Sequence, residues 1–406
     1  MKQTIEKRVS PYNLAGIGPS LPGSVMICDV TLRDGEQTAG VCFSLEEKME
    51  LIRLLDEIGV GQIQLAHVDS PDDYAVAKAA CALRREKAKI EVMSSTFSRT
   101  WQTDIQGAVD VGADVVHSLV PLSPYMRFMY PEKPDDAMLF GRVEEVIAFM
   151  RDRGAPCVNI SLLDATRVEE PLLRRMIELL LREGVDRIRF ADTVGTCTPL
   201  GVYHVARFIK GLIAKHAGKK PMLGVHLHDD FGLATANALA AVVGGADFLD
   251  LSVNGLGERS GNPDLAQVTV ALEVLGGVDT GIRIDKLYDL SRRVEALSGI
   301  PIPTNKPLIG ALTFADESDS HVLATSEDPF AYQGILAETV GNHRSLIVGK
   351  KNGVNAVRLK MEQLGLPPAA PEKLPLILED IRSENLKYRG TIMPDEAFIE
   401  IVKRHA

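Results

Sequence analysis

The sequence predicts an α/β fold, a (β/α)8 TIM barrel followed by a small, mainly helical C-terminal subdomain. Three observations carry that prediction. Eight short apolar runs alternate with amphipathic stretches of helical period, spanning the roughly 250 residues such a barrel needs. Gly, Pro, Asn and Asp punctuate the runs, as buried strands joined to helices require. The most chemically loaded side chains stand directly after strand-like runs, where barrels of this type place their active sites.

In chain order, the first two dozen residues hold Pro11, Gly16, Gly18, Pro19, Pro22 and Gly23, a density of breakers that opposes any regular element. Strands are predicted at 25–31, 62–66, 90–94, 115–120, 158–162, 188–191, 222–228 and 248–253. Helical periodicity falls at 44–58, 170–182, 199–215 and 233–243, with a further helix at 287–298. A doubly wound open sheet uses the same βα repeat and is the competing fold. The expected division is an arm at 1–24, a catalytic barrel at 25–282, a linker and capping region at 283–330 and a small subdomain at 331–406.

With 406 residues, 45% of them hydrophobic, the chain can bury one large core and a smaller second one. A formal net charge of −10 excludes a broadly basic nucleic-acid surface, although a local basic pocket for phosphates remains compatible with it. The cysteines Cys28, Cys42, Cys81, Cys157 and Cys197 are odd in number and form no Cys-x-x-Cys pair. They read as reduced thiols of a cytoplasmic protein. No apolar run approaches the roughly 18 residues of a membrane span, and Met1 to Lys7 is charged with no apolar signal core after it. Neither nucleic acid nor membrane is an expected partner.

Two strings far apart in the chain point to one divalent-metal site. On the seventh strand, Val225-His226-Leu227-His228-Asp229-Asp230 places alternate side chains on one face, so two imidazoles lie about 7 Å apart and can grip one ion. After the first strand, Asp29-Val30-Thr31-Leu32-Arg33-Asp34-Gly35-Glu36-Gln37 supplies the Asp34 carboxylate with Arg33 beside it. Two imidazoles and one carboxylate leave coordination positions for a substrate. Taken singly, a His-x-His pair is as readily two polar residues at a strand end, and Asp34 a turn residue. Strand eight lies between strands seven and one, so its trailing loop, Ser252 to Asn262, falls beside the same point, and its glycines let the backbone approach a ligand closely.

These residues resemble the DRE-TIM metallolyase superfamily, in its branch of 2-isopropylmalate, citramalate and homocitrate synthases. Four motifs carry the resemblance: the Asp29–Gln37 string, Ala191-Asp192-Thr193-Val194-Gly195, the HLHDDFGLATAN segment from His226 to Asn237, and VNGLGERSGN from Val253 to Asn262. The resemblance implies Asp34, His226 and His228 as metal ligands, with Asn262 coordinating or beside them. It implies Arg33 as the group that polarises the substrate carbonyl, Thr193 against the keto-acid carboxylate, and Glu258 as a candidate catalytic residue of the strand-eight loop. A divalent ion (Mg2+, Mn2+ or Zn2+) and acetyl-CoA or a related acyl-CoA as co-substrate follow from it. The implied reaction adds the enolate of the acyl group to C2 of a 2-keto acid. Thioester hydrolysis then gives a 2-hydroxy di- or polycarboxylic acid.

Past the barrel, Thr313-Phe314-Ala315-Asp316-Glu317-Ser318-Asp319-Ser320-His321 resembles the family's HAFAHESGIH segment. His321 then matches a catalytic histidine, the candidate base, and Tyr332 the tyrosine that accompanies it. Val340-Gly341 and Leu346 to Lys350 resemble the family's small C-terminal subdomain. In the family this region caps the barrel of a second subunit, which implies a homodimer with shared active sites. With Ala406 as the last residue, feedback regulation through a further long C-terminal domain is not expected.

Several positions depart from the family pattern. Gln64 stands where the synthases usually carry Glu, and Ser161-Leu162-Leu163-Asp164 where they carry Ser-x-Glu-Asp. Leu163 thus removes an acid that orients the catalytic histidine, leaving Glu317 or Asp316 as substitutes. Asn159 occupies the position where homocitrate synthases bind a distal carboxylate through arginine, which counts against homocitrate. Arg189 on strand six faces the barrel interior and, with His67, His117 and Arg127, is expected to line the keto-acid pocket. A buried arginine needs an anion, either a second anionic group on the substrate or an acid such as Asp164 or Asp192. The expected substrate-binding set is therefore Gln64, His67, His117, Asn159, Ser161, Arg189 and Thr193.

Four other readings compete. A hydroxymethylglutaryl-CoA-lyase-like enzyme would cleave a carbon–carbon bond with the same metal site, but its lid cysteine is missing from the strand-eight loop. A biotin-dependent carboxyltransferase would read RDAHQS where this chain reads RDGEQT. A non-haem iron oxygenase shares the two-His, one-carboxylate set but not the barrel. A non-catalytic metal-binding homologue would explain Gln64 and Leu163.

Overall fold

The computed structural model describes residues 5–13 and 21–405; the arm residues Gly16, Gly18 and Pro19 lie outside the described set. Two compact units divide the chain, one covering 11–302 and the other 1–10 with 303–406.

The larger unit is a closed barrel of eight parallel strands in sequential order. They are β1 (Met26–Asp29), β2 (Gln62–Leu65), β3 (Lys89–Ser95), β4 (Val115–Pro121), β5 (Val158–Leu163), β6 (Arg187–Asp192), β7 (Met222–Leu227) and β8 (Phe248–Leu251). Closure is made by β1 against β8, with Met26 opposite Phe248 and Asp29 opposite Leu251. The predicted doubly wound alternative is thereby excluded. Helices α1 (Leu45–Ile58), α2 (Pro71–Ala82), α3 (Trp101–Asp110), the short α4 (Pro124–Arg127), α5 (Asp136–Asp152), α6 (Glu170–Arg182), α7 (Pro199–Lys215), α8 (Ala234–Gly244), α9 (Leu265–Val270) and α10 (Leu287–Ser298) surround or follow the strands.

Local chemistry sets these boundaries. Ser44 and Glu47 exchange side-chain-to-backbone hydrogen bonds of 3.2 and 2.7 Å ahead of α1, a capping box worth about 1 kcal/mol. Gly59 ends the helix in the left-handed region, φ +97°. Outward-facing strand residues such as Val92, Val116, Ile160, Leu162, Ile188 and Phe190 are fully buried under the helices, and they form the barrel's apolar shell. The inward faces, set by the two-residue alternation, carry many polar residues: Glu91 on β3, His117 on β4, Asn159 and Ser161 on β5, Arg187 and Arg189 on β6, His226 on β7 and Asp250 on β8 are all buried. Gly224 on β7 leaves room for the Phe248 ring, which a Cβ there would strike.

The expected barrel boundary at residue 282 falls inside the larger unit, because α10 packs with it up to Ile302. The expected arm at 1–24 is also divided: Lys7 bridges Ile335 in the smaller unit, whereas Gly23 accepts a hydrogen bond from Asp279 in the larger one.

The smaller unit pairs two short parallel strands, β9 (Ala315–Asp316) and β10 (Ser345–Leu346), with helices α11 (Asp319–Glu327), α12 (Val354–Gln363), α13 (Leu374–Glu384) and α14 (Asp395–Arg404). Val357, Met361, Ile377, Ile381, Phe398 and Ile401 form its own core. Among the described residues, no helix is long and apolar enough to cross a membrane.

Candidate metal centre and reaction cavity

Strand alternation and closure together bring Asp34, His226 and His228 to one end of the barrel. Asp34 begins a short 3-10 turn, Gly35–Gln37, after β1, and its Oδ2 lies 2.9 Å from His226 Nε2 and 3.8 Å from His228 Nε2. The two Nε2 atoms are 3.2 Å apart, and one ligand atom from each of the three residues falls within 4.8 Å of the others. Two imidazole nitrogens and a carboxylate converging at this range make a donor set that one divalent cation satisfies.

The surroundings fix each ligand. His226 Nδ1 lies 2.9 Å from Asp250 Oδ2, so the ring donates there and turns its Nε2 lone pair to the shared point. Asp34 Oδ1 accepts the Glu258 backbone N–H at 2.9 Å, and Arg33 Nη1 stands 3.0 Å from Oδ2. Asn262 Nδ2 donates to the Leu227 carbonyl at 2.9 Å and reaches Asp34 Oδ2 at 3.5 Å. That leaves Asn262 Oδ1 and His228 Nδ1 buried without a hydrogen-bond partner. The orphaned Asn262 Oδ1 beside this convergent donor set fits a cation site better than a closed hydrogen-bond network. The loop that delivers Glu258 and Asn262 holds Asn254 and Arg259 at positive φ, 59° each, and Gly261 at +93°, where a Cβ would collide with the Gly255 carbonyl.

Electrostatics follow the same arrangement. Burial works to raise the Asp34 carboxyl, but Arg33 and the two imidazoles outweigh it and hold it well below the usual range. Burial works to lower His226, and the Asp250 and Asp34 carboxylates reverse the sign, so its pKa is raised. Burial, with the neighbouring His226 charge, pushes His228 down to about 3. His228 is therefore neutral near pH 7 and keeps a free lone pair, as a ligand must.

A cavity of about 350 Å³ opens beside this centre. Ten of the predicted site residues line it: Arg33, Asp34, His67, His117, Ser161, Arg189, Thr193, His226, His228 and Glu258. Three others stand behind the wall. Gln64 accepts from Arg33 Nε at 2.5 Å, Asn159 Nδ2 donates to Glu91 at 2.7 Å, and Asn262 holds the metal-end backbone as described. His321 and Tyr332 belong to the smaller unit, where their rings stack at 3.8 Å between centroids.

Two expectations are corrected. Arg189 does not await a substrate anion, nor does it pair with Asp164 or Asp192. Its two Nη atoms fork onto Glu91 at 3.0 and 2.9 Å, and Nε lies 3.2 Å from Asp250. Asp164 is instead bound by Arg167 at 2.7 Å. Arg127 does not line the cavity; it pairs with Asp136 at 2.9 Å and donates to the Leu122 and Pro134 carbonyls. Of the two acids offered as substitutes at Leu163, Asp316 Oδ2 accepts from Thr325 and Arg344, and Glu317 Oε1 from the Lys351 backbone.

Sequence reasoning passed over Glu91 and Asp250, each at most 1% exposed, and the apolar wall formed by Met93, Leu119, Met126, Met129 and Leu163. An acid at the inward parity of a barrel strand is itself the signal for the first two: buried charge needs a partner, and removing one member of such a pair costs about 3–5 kcal/mol. His117 Nδ1 lies 2.9 Å from Glu91 Oε1, and Nε2 lies 2.6 Å from Ser161 Oγ. Burial holds this imidazole down at about 4, so it is neutral, donates from Nδ1 and accepts the Ser161 hydroxyl proton at Nε2.

A family model described as HMGL-like matches residues 24–294, the whole of the barrel. The chain belongs to the HMGL-like family. Its relatives include a protein named putative (R)-citramalate synthase from Methanopyrus kandleri, 39% identical over 345 residues, 85% of this chain and 66% of that one. A homocitrate synthase from Methanocaldococcus jannaschii is 35% identical over 400 residues, 98% of this chain and 94% of that one. A 2-isopropylmalate synthase from Saccharolobus solfataricus is 34% identical over 358 residues, covering 88% and 90%. Among solved structures, a hydroxymethylglutaryl-CoA lyase from Pseudomonas aeruginosa superposes with a TM-score of 0.58 at 21% identity, over 70% of this chain and 95% of that one. At that identity it shows the shared barrel alone.

Proposed function

We propose that this HMGL-like chain condenses acetyl-CoA, or a related acyl-CoA, with a 2-keto acid bearing an apolar tail, and that hydrolysis of the product thioester releases coenzyme A. The observation that carries the reading is the convergence of Asp34, His226 and His228 beside Arg33 in the wall of an open cavity. Homology to proteins named for this class of condensation, over nearly the whole chain, supports it.

Asp34, His226 and His228 would hold a divalent cation, Mg2+, Mn2+ or Zn2+, which when bound supplies Lewis-acid polarisation of the keto acid. Arg33, fixed on one side by Gln64 and on the other by Asp34, aims donors at the oxygen that becomes an alkoxide as the acyl methyl carbon bonds to C2. Thr193 and the Ser161 hydroxyl line the substrate side of the same cavity. The methyl proton leaves to a base, for which His321 with Tyr332 is the candidate pair; water then adds to the thioester, the carbon–sulfur bond breaks and the thiol departs. The tail of the keto acid lies against Met93, Leu119 and Leu163, next to an Arg189 whose charge is already met by two carboxylates. A homodimer with shared sites in the cytoplasm is part of the same proposal, supported by the resemblance of the 313–332 segment to the family's capping region. Free thiol release from acetyl-CoA, dependent on a keto acid and on added metal, tests it; metal binding with no thiol release for any keto acid would favour a non-catalytic homologue.

A further inference from the structure

We infer that Glu91 is a positioning residue for both halves of the site, acting on the cation-binding half through Arg189 and Asp250 and on the cavity half through His117; the inference rests on the function proposed above. Four strands meet in this chain of contacts. Glu91 on β3 is fully buried and takes both Nη atoms of Arg189 on β6 as a fork, at 3.0 and 2.9 Å. That fork fixes the guanidinium plane and leaves its Nε edge in ion-pair contact with Asp250 Oδ2 on β8 at 3.2 Å, without a hydrogen bond between them. Asp250 Oδ2 is the same atom that receives His226 Nδ1 from β7 at 2.9 Å.

The orientation of a metal-binding imidazole is set by the partner of its other nitrogen, and that partner must itself be held. Asp250 meets the requirement only while Arg189 stays on Glu91. Its second oxygen, Oδ1, has no hydrogen-bond partner, so nothing else among the described residues anchors the carboxylate by a hydrogen bond through that atom. With Glu91 neutral, Arg189 would have Asp250 as its remaining charged partner. A guanidinium prefers to fork onto a carboxylate, so it would compete with His226 for Oδ2.

The second arm is independent of the first. Glu91 Oε1 also lies 2.9 Å from His117 Nδ1, which forces Nε2 to accept from Ser161 and leaves that oxygen's lone pairs toward the cavity. Asn159 and Gln62 donate to the remaining lone pairs of Glu91, so the carboxylate cannot turn to serve one arm at the expense of the other. A merely structural ion pair would stabilise the barrel without touching cation affinity; the relay ties the two.

Mn2+ titration of the metal-stripped full-length chain by calorimetry separates these roles. Glu91→Gln, Arg189→Lys and Asp250→Asn are each expected to weaken Mn2+ binding about ten- to a hundredfold in protein that retains a wild-type circular dichroism spectrum. The Glu91→Gln, Asp250→Asn double variant is expected to bind no more weakly than Asp250→Asn alone, because the two act in series. Through the second arm, Glu91→Gln at saturating Mn2+ also raises the keto-acid KM, which Asp250→Asn leaves near the wild-type value. Folded Glu91→Gln protein with wild-type Mn2+ affinity, or losses that multiply in the double variant, overturns the relay. Where Glu91→Gln fails to fold, Arg189→Lys, which keeps the charge and loses the fork, carries the same two outcomes. Mn2+ binding that Asp34→Ala fails to abolish overturns the proposed function and the relay with it, whereas binding controlled by Asp34 but not by Glu91 overturns the relay alone.

Discussion

Arg33 Nε donates to the Gln64 carboxamide oxygen at 2.5 Å while Nη1 of the same guanidinium stands 3.0 Å from Asp34. Because the Gln64 partner is neutral, it positions the guanidinium without cancelling its charge. Gln64→Glu is therefore expected to lower kcat about ten- to a hundredfold with little change in the keto-acid KM, and Arg33→Lys to lower it by at least about a hundredfold. Steady-state kinetics on both variants check this; a Gln64→Glu enzyme as fast as wild type would mean that the residue is not holding an electrophilic arginine.

The cavity's apolar wall and the neutralised Arg189 set substrate preference. 2-Keto acids with short alkyl tails should be turned over in preference to oxaloacetate and 2-oxoglutarate, whose second carboxylate would meet no free cation among the described residues at that end. Leu119→Ala should shift the preference toward longer tails, by about 1–3 kcal/mol per methylene accommodated. A panel of kcat/KM values decides the point, and a higher value for oxaloacetate than for 2-oxoisovalerate would refute it.

Asp29 gives a pH dependence of stability whose sign is fixed by its surroundings. It is fully buried on β1, accepts the Thr31 N–H and hydroxyl at 2.9 Å each, and burial pushes its carboxyl up to about 7. Between pH 4 and 7 the native state thus holds a proton that the unfolded chain releases, so this group's contribution to stability falls as pH rises through that window. Asp29→Asn should remove the loss, gaining on the wild type by on the order of a few kcal/mol between pH 5 and pH 8. Urea unfolding at the two pH values measures it; a constant offset between the proteins would show that Asp29 ionises normally.

His321 and Tyr332, stacked at 3.8 Å, are proposed to move the methyl proton. His321→Ala should then cut kcat by about a hundredfold or more while leaving Mn2+ affinity unchanged. Exchange of the acetyl-CoA methyl protons into heavy water, followed by NMR, should be lost in the same variant.

The eight strands and their order were legible because buried parallel strands write themselves as apolar runs, and α6, α7 and α10 fall at the residues their periodicity predicts. The metal triad was legible for a different reason: alternation on one strand and adjacency across β8 are geometric consequences of the fold. Arg189 shows where that logic stopped. Its inward parity was read correctly, but its partners, Glu91 and Asp250, sit within runs whose apolar neighbours masked them. Applying the same parity to β3 and β8 would have exposed two buried acids in need of a cation. The boundary after the barrel was hidden because α10 has the amphipathic pattern of either a barrel helix or a linker helix, and only packing assigns it to the unit ending at Ile302.

The most direct measurement is release of free thiol from acetyl-CoA across a panel of 2-keto acids, run on metal-loaded wild-type protein beside Asp34→Ala and His226→Ala. Keto-acid-dependent thiol release in the wild type, falling to background in both variants and on chelation, is the predicted result. Thiol release that survives both substitutions would contradict the assignment of Asp34, His226 and His228 as the reactive centre.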